Sequence, residues 1–124
     1  MYAAGRPHPH REPAIHFLAR VGHGELPAFT STEVLQEILY RYSSIERLDL
    51  ANAVYAAFVD SRAEVLPIEL RDTDRARDLL CSIPGISSRD AIHAAVMLNY
   101  QIEWIATFDR GFDRIPGIRR LPLP

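Results

Sequence analysis

Apolar residues recur along the chain with two different periods. Spacings of three and four residues predict five helices, which cover residues 14–21, 32–42, 45–61, 72–82 and 88–100. Short apolar runs bounded by turn-forming residues predict strands at 2–5, 26–30, 65–68, 103–107 and 117–121. Short strands that alternate with helices are typical of an α/β fold with a mainly parallel sheet. We predict that fold class for a single domain over residues 1–124.

Two segments carry signals for the start of a helix. Thr30 and Glu33 have the spacing of a capping box, in which the hydroxyl accepts from the Glu33 amide and the Glu33 side chain reaches back. Ser87 and Ser88 are N-cap residues for the helix that ends near Tyr100. The helix behind Thr30 is predicted to bury one face, made of Val34, Leu35, Ile38, Leu39 and Tyr42.

Composition and charge fit an ordinary globular protein. Of the 124 residues, 48% are hydrophobic and 24% are charged, and the formal net charge is −2. Positive charge comes from arginine alone and forms no basic tail, so the sequence does not indicate tight, non-specific nucleic-acid binding. Cys81 is the one cysteine, and we predict it to be a small buried hydrophobe. With no bilayer-length apolar run and no signal-peptide pattern, we expect a cytoplasmic protein without membrane contact.

Asp90 and Asp109 are far apart in the chain but are predicted to meet. Asp90 falls in the first turn of its helix, which carries the chain away by about 20 Å at roughly 1.5 Å per residue. The following strand carries the chain back by about 17 Å at roughly 3.3 Å per residue, and Asp109 comes just after it. Both carboxylates should therefore lie at the edge where strands end and helices begin, the usual ligand-binding edge of open α/β folds.

Glu37 is a third candidate at this edge. It lies about two turns into a helix that starts there, beside the predicted buried face. Three carboxylates in one hollow repel one another unless a cation neutralises them, and Mg²⁺ or Mn²⁺ prefers carboxylate oxygens. Such an ion activates water and neutralises charge on a phosphodiester. The pattern therefore indicates metal-assisted phosphodiester hydrolysis.

Each carboxylate also has an ordinary structural interpretation. Asp90, in a first turn, complements the helix dipole. Glu37 has the spacing to pair with Arg41 one turn on. Asp109 suits a turn. Their shared edge, rather than any one residue, favours the metal site.

Three segments carry distinct patterns in a fixed order. They are Thr30–Leu39 with its helical acid, Ser88–Ala95 with an Asp-Ala-x-x-Ala-Ala pattern, and Ile105–Asp113 with a Thr-x-Asp-x-x-Phe pattern. Together they resemble the PIN domain, and the VapC ribonuclease toxins in particular. The resemblance covers nearly the whole chain and implies a three-layer fold in which helices flank a mainly parallel sheet.

The resemblance also assigns roles to individual residues. Glu37, Asp90 and Asp109 match the acids of the family's active site, which makes them the expected catalytic residues and metal ligands. Thr107 is a polar neighbour of this site, and Asp113 is an auxiliary polar group beside it.

The chain departs from the family pattern at its N-terminus. PIN domains begin with an apolar strand that carries Asp-x-Asn, whose aspartate is a principal metal ligand. Met1–Gly5 resembles the tail of that segment, and no acid precedes it. We therefore expect that the start is misassigned and that the product extends upstream, so that the first strand and the first acid are largely missing here.

The resemblance implies a divalent-metal-dependent endoribonuclease, using Mg²⁺ or Mn²⁺, that acts as the toxin of a type II toxin–antitoxin pair. It further implies an RNA substrate, a homodimer and a small VapB-like antitoxin that blocks the acidic hollow. The alternative is a truncated, catalytically inactive PIN module that retains only antitoxin or dimer binding. A phosphatase or phosphotransfer domain ranks lower, because such domains usually use a lysine and this chain has none.

Other residues have both a functional and a structural interpretation. His93, one turn beyond Asp90, is expected to pack within its helix rather than act in the site. Trp104 is expected in the core or at a dimer contact. The arginines after Asp109 fit RNA phosphate contacts and a solvated edge equally well: Arg110, Arg114, Arg119 and Arg120.

Overall fold

The computed structural model describes residues 28–61 and 63–121 of the chain. The chain divides into two compact units, one ending at Leu66 and the other beginning at Pro67. The single domain over residues 1–124 stays a prediction. The strand predicted at 2–5 and the helix predicted at 14–21 lie outside the described residues.

The part of the first unit that the structure describes contains two strands and two helices. Strand β1 (Phe29–Ser31) leads into helix α1 (Thr32–Ser44), which is followed by α2 (Leu48–Asp60) and by strand β2 (Glu64–Leu66). The two strands pair in parallel. Parallel strands need a crossover between them, and here α1 and α2 supply it.

The core of the first unit lies between α1 and α2. Leu35, Ile38 and Tyr42 form a buried stripe at helical spacing and pack with Ala51 of α2. Leu39, predicted to belong to this face, is 46% exposed. Its position lies about 100° from Ile38 and about 40° beyond Leu35, past the edge of the stripe, so this part of the prediction is wrong.

Helix α1 starts without the predicted capping box. Ser31 rather than Thr30 is the N-cap residue, and no side chain makes a capping hydrogen bond. Thr30 belongs to β1 and is held opposite Val65 in the parallel pair. Strand pairing therefore overrides the local capping signal. The Ser31 hydroxyl is buried and has no hydrogen-bond partner.

The second unit contains two longer helices and a shorter C-terminal region. Helices α3 (Leu70–Ser82) and α4 (Ser88–Asn99) are followed by strand β3 (Trp104–Ile105), a 3₁₀-helix (Arg110–Arg114) and strand β4 (Arg119–Arg120). The strands β3 and β4 pair in parallel. Both strands were predicted, but each is shorter than its predicted range.

Helix α3 begins at Leu70, two residues before its predicted start. Glu69 accepts a hydrogen bond from the Asp72 backbone, and the Asp72 carboxylate accepts one from the Glu69 N–H at 2.9 Å. Asp72 is fully buried and also accepts from the Asn99 side chain at 2.8 Å. In this reciprocal cap a glutamate takes the N-cap position that serine or threonine usually takes. The sequence pattern therefore did not predict that the helix starts here.

Helix α4 is buried on two sides. On one side Ala91 and Ala95 pack against Ala76 of α3. On the other side α4 contributes to a cluster formed by Ala94, Met97, Phe112, Ile115 and Ile118. Small side chains allow close approach to α3, while Phe112 fixes the 3₁₀-helix against α4.

Cys81, which was predicted to be buried, is exposed, and Trp104, which was expected in the core or at a dimer contact, is not part of the core. Cys81 lies on the outer side of α3, about 200° around the helix from the partly buried Leu79. Trp104 is half exposed, and the Arg119 guanidinium lies over its ring at 5.8 Å from the centroid. Among the described residues, no helix combines the length and apolar character needed to cross a membrane.

Neighbouring positions on α1 provide a test of the first core. Ile38 is completely buried, so we expect Ile38→Ala to lower the free energy of unfolding by about 2–5 kcal/mol. Leu39→Ala is the matched control and should cost less than about 1 kcal/mol. Urea denaturation followed by circular dichroism measures both. Equal losses for the two variants would contradict the described orientation of α1.

Candidate active site

Asp90 is placed by the cap of helix α4. The Ser87 side chain accepts a hydrogen bond from the Asp90 N–H at 3.1 Å, which confirms the predicted cap. The Asp90 side chain is partly buried, and the next residue, Ala91, is completely buried against α3. The carboxyl group therefore sits in the first turn of a helix whose orientation is fixed by packing.

Asp109 is placed by a turn of its own. One of its carboxylate oxygens accepts from the Gly111 N–H at 2.8 Å, so that Asp109 caps the 3₁₀-helix. The Asp109 N–H donates to the Thr107 hydroxyl at 3.1 Å. Thr107 is thus a direct polar neighbour of Asp109. One bond orients the carboxylate of this exposed aspartate and the other orients its backbone.

The Asp90 and Asp109 carboxyl groups lie within hydrogen-bonding reach of each other. Partial burial raises the pKa of Asp90, and the hydrogen bond to Asp109 and the negative charge of Asp109 raise it further. Ser87 and Arg89 act in the opposite direction but do not cancel the effect. The structure therefore brings together two acids separated by eighteen intervening residues (90 to 109), as the geometry of the helix and strand predicts.

The donor set of this pair suits a hard divalent cation. Adjacent carboxylates are costly to keep ionised together, and either a shared proton or a cation relieves the repulsion. Mg²⁺ and Mn²⁺ take oxygen ligands of this kind. Within the parts of the chain that the structure describes, no group of three His, Cys, Asp or Glu side chains is arranged to hold a metal. The pair alone thus supplies two carboxyl groups to such an ion.

Glu37 belongs to the first unit and is described there. It lies on α1 directly before the buried Ile38, and its own side chain is partly buried. It is therefore beside the buried stripe of the helix, where the sequence predicted it. Its role as a third ligand stays a prediction.

Asp113 is engaged by an arginine. Arg120 donates to the two carboxylate oxygens of Asp113 at 2.8 and 3.0 Å. This bidentate bond holds the pKa of Asp113 below its usual range. The pair connects the 3₁₀-helix to β4, and its role in the site beyond this connection stays a prediction.

The remaining arginines of the C-terminal segment have different partners. Arg119 pairs with Glu103 at 2.9 Å, and Arg114 donates to the Pro84 carbonyl at 3.3 Å. The sequence left RNA phosphate contacts and a solvated edge equally open for these arginines and did not predict their separate contacts. The one available signal for the Arg114 contact was Gly85, which follows Pro84.

Comparison with known proteins gives matches that cover nearly the whole chain. The PIN domain model matches residues 1–118. The chain is 43% identical, over 98% of its own length and 92% of theirs, to a VapC ribonuclease of Mycobacterium bovis and to ribonuclease VapC13 of Mycobacterium tuberculosis. It is 35% identical to ribonuclease VapC23 of Mycobacterium tuberculosis over 88% of this chain and 86% of the relative.

This chain belongs to the PIN domain family. The match confirms the resemblance seen in the three sequence segments and the predicted PIN-like α/β fold class. No solved structure gave a significant match.

The raised pKa of Asp90 predicts how stability depends on pH. The folded protein holds this proton more tightly than the unfolded chain does. This contribution is therefore present below the ordinary aspartate pKa and is lost as pH rises through that value to the raised one. In Asp90→Asn the loss should disappear, and at neutral pH the variant should be at least as stable as wild type because repulsion from Asp109 is removed.

Thermal unfolding in a chelating buffer between about pH 3 and pH 8 measures this effect. Asp78→Asn, which changes an exposed acid of α3, is the control and should follow the wild-type curve. An Asp90→Asn variant that is less stable than wild type at neutral pH would show that the carboxylates do not oppose each other.

Proposed function

We propose that this protein is a divalent-metal-dependent endoribonuclease and the toxin of a type II toxin–antitoxin pair. The observation that carries the proposal is the contact between the Asp90 and Asp109 carboxyl groups, together with the raised pKa of Asp90. Membership of the PIN domain family and the ribonuclease names of the relatives support the reaction class.

Glu37, Asp90 and Asp109 are the proposed ligands of Mg²⁺ or Mn²⁺. A bound ion of this kind supplies an activated water and neutralises charge that develops on the phosphodiester. Asp109 contributes a carboxylate already oriented by Gly111 and Thr107, so little ordering is needed when the ligand set forms. The ion binds the ionised form of Asp90, so metal binding should strengthen as pH rises through the raised pKa of this group.

RNA is the proposed substrate, and Arg110 is the proposed contact to one of its phosphates. Arg110 follows Asp109 directly and is exposed. Arg119 and Arg120 are less suitable, because they already form ion pairs with Glu103 and Asp113, respectively. A phosphate held by Arg110 would lie beside the carboxylates without itself specifying sequence.

A protein partner is proposed to cover the first unit. Tyr40, Ile45 and Leu48 are large apolar residues that are exposed around the end of α1 and the start of α2. Exposed apolar groups of this kind favour protein contacts, for which a second copy of the chain and a small antitoxin are the proposed partners. A basic side chain of the antitoxin would neutralise Asp90 and Asp109 in place of the cation.

Metal-dependent RNA cleavage tests the proposed reaction. We expect the purified chain to cleave single-stranded RNA with Mn²⁺ and to lose activity in excess chelator. Asp90→Asn and Asp109→Asn should each lower the rate by on the order of a hundredfold or more, because each removes a carboxylate from the ion that stabilises the transition state. Glu37→Gln tests the third ligand in the same assay.

Asp74→Asn is the matched control, since Asp74 is an exposed acid on α3. It should keep wild-type activity, and circular dichroism should show that all variants fold. Full activity in Asp90→Asn or Asp109→Asn would refute the assignment. A folded wild-type chain without Mn²⁺-dependent cleavage would favour the alternative of an inactive module that only binds partners.

A further inference from the structure

Arg114 connects the two segments that carry the aspartates. It is the last residue of the 3₁₀-helix that Asp109 caps. Its Nη1 atom donates a hydrogen bond to the carbonyl oxygen of Pro84 at 3.3 Å. Pro84 lies in the turn between α3 and α4, three residues before Ser87, the cap of the helix that carries Asp90. A single side chain therefore bridges the segments of the two acids.

The turn at Gly85 is shaped to receive this guanidinium. Gly85 has a φ of +81°, a conformation that favours glycine. A Cβ atom at this position would lie 2.7 Å from Arg114 Nη1, which is closer than any stable contact. The backbone conformation thus favours glycine, and a Cβ at this position would displace the Arg114 guanidinium from its place beside Pro84.

Short, ordered steps lead from this bond to both carboxyl groups. On one side, Ser87 accepts from the Asp90 N–H at 3.1 Å. On the other side, Asp109 accepts from the Gly111 N–H at 2.8 Å. These hydrogen bonds tie each acid to the backbone that leads to Pro84 or to Arg114, so a change in the Arg114 bond should alter the separation of the two acids.

A second arginine holds the same C-terminal end of the 3₁₀-helix. Arg120 of β4 holds Asp113 through two hydrogen bonds of 2.8 and 3.0 Å. Phe112 and Ile115 are buried against α4. The Arg120 bond fastens this helix to β4, whereas the Arg114 bond fastens it to the turn that leads to Asp90. The two arginines therefore connect the same end of the helix to two different segments.

We propose that Arg114 is a positioning residue that sets the separation of the Asp90 and Asp109 carboxyl groups through its bond to Pro84. In this role it tunes the affinity of the pair for a divalent cation. The part that concerns the cation rests on the proposed function, whereas the effect on the two segments does not.

Mn²⁺ affinity and amide hydrogen exchange test the proposal on the full chain without RNA. Free Mn²⁺ is followed by electron paramagnetic resonance, and exchange is followed at the Asp90 and Gly111 amides. We expect Arg114→Ala to weaken Mn²⁺ binding about tenfold, the effect usual for groups that orient metal ligands. Both amides should exchange faster, because the hydrogen bond that connects their two segments is removed while the apolar packing remains.

Arg75→Ala is the matched control for charge. Arg75 lines the same surface depression as Arg114, but its guanidinium donates to Asn99 at 3.1 Å and not to Pro84. Its removal takes one positive charge from the same surface and should leave Mn²⁺ affinity and both exchange rates unchanged. Arg114→Lys, which keeps the charge and a donor, should recover part of the affinity.

Gly85→Ala provides an independent route to the same result. Its Cβ displaces the guanidinium, so the variant should resemble Arg114→Ala. In the double variant Arg114 is absent and the clash cannot occur. The combined loss of Mn²⁺ affinity should therefore be smaller than the sum of the losses in the two single variants. If Arg114→Ala does not fold, Arg114→Lys and Gly85→Ala carry the test.

Unchanged Mn²⁺ affinity and exchange in Arg114→Ala, or equal effects of Arg114→Ala and Arg75→Ala, would overturn the proposal. A wild-type chain that neither binds Mn²⁺ nor cleaves RNA would instead count against the proposed function. The exchange rates at Asp90 and Gly111 would still decide whether Arg114 positions the two segments.

Discussion

Two carboxyl groups of like charge are held beside each other at the N-terminal end of α4, and the second unit has to oppose their repulsion. Asp90 cannot withdraw, because the residue after it is buried against α3 and the Ser87 cap fixes its turn. Asp109 cannot withdraw either, because its own turn with Gly111 and the bond to Thr107 fix its backbone. The raised pKa of Asp90 reflects the unfavourable free energy of ionising this carboxyl group in its partly buried position beside Asp109.

The same constraint explains why apolar packing and polar contacts have different roles in the second unit. Apolar packing supplies the strength, since the cluster around Met97 and Phe112 joins α4 to the 3₁₀-helix. Polar contacts supply the alignment, since Asp113, Arg114 and Arg120 orient that helix at its C-terminal part.

The sequence predicted the features that depend on period and chain direction. Helix α4, its Ser87 cap and the meeting of Asp90 with Asp109 follow from helical spacing and from a strand that returns to the same edge. The predictions from sequence failed where contacts between distant segments determine the local structure. Strand pairing removed the Thr30 cap, and the buried Asp72 created a helix start that resembles no usual signal. The hydrogen bond from Arg114 to Pro84 could not be predicted from the sequence, because it joins residues thirty positions apart and depends on the rotamer of the Arg114 side chain.

The exposed thiol of α3 has a practical meaning for studies of assembly. Cys81 is the one cysteine among the 124 residues, so any disulfide that it forms within a pure sample must link two molecules. Covalent pairs formed in air would have the mass of a homodimer without using the apolar residues near Tyr40. Only the species that persists under reducing conditions, or with serine in place of this cysteine, reports on association through the folded surface.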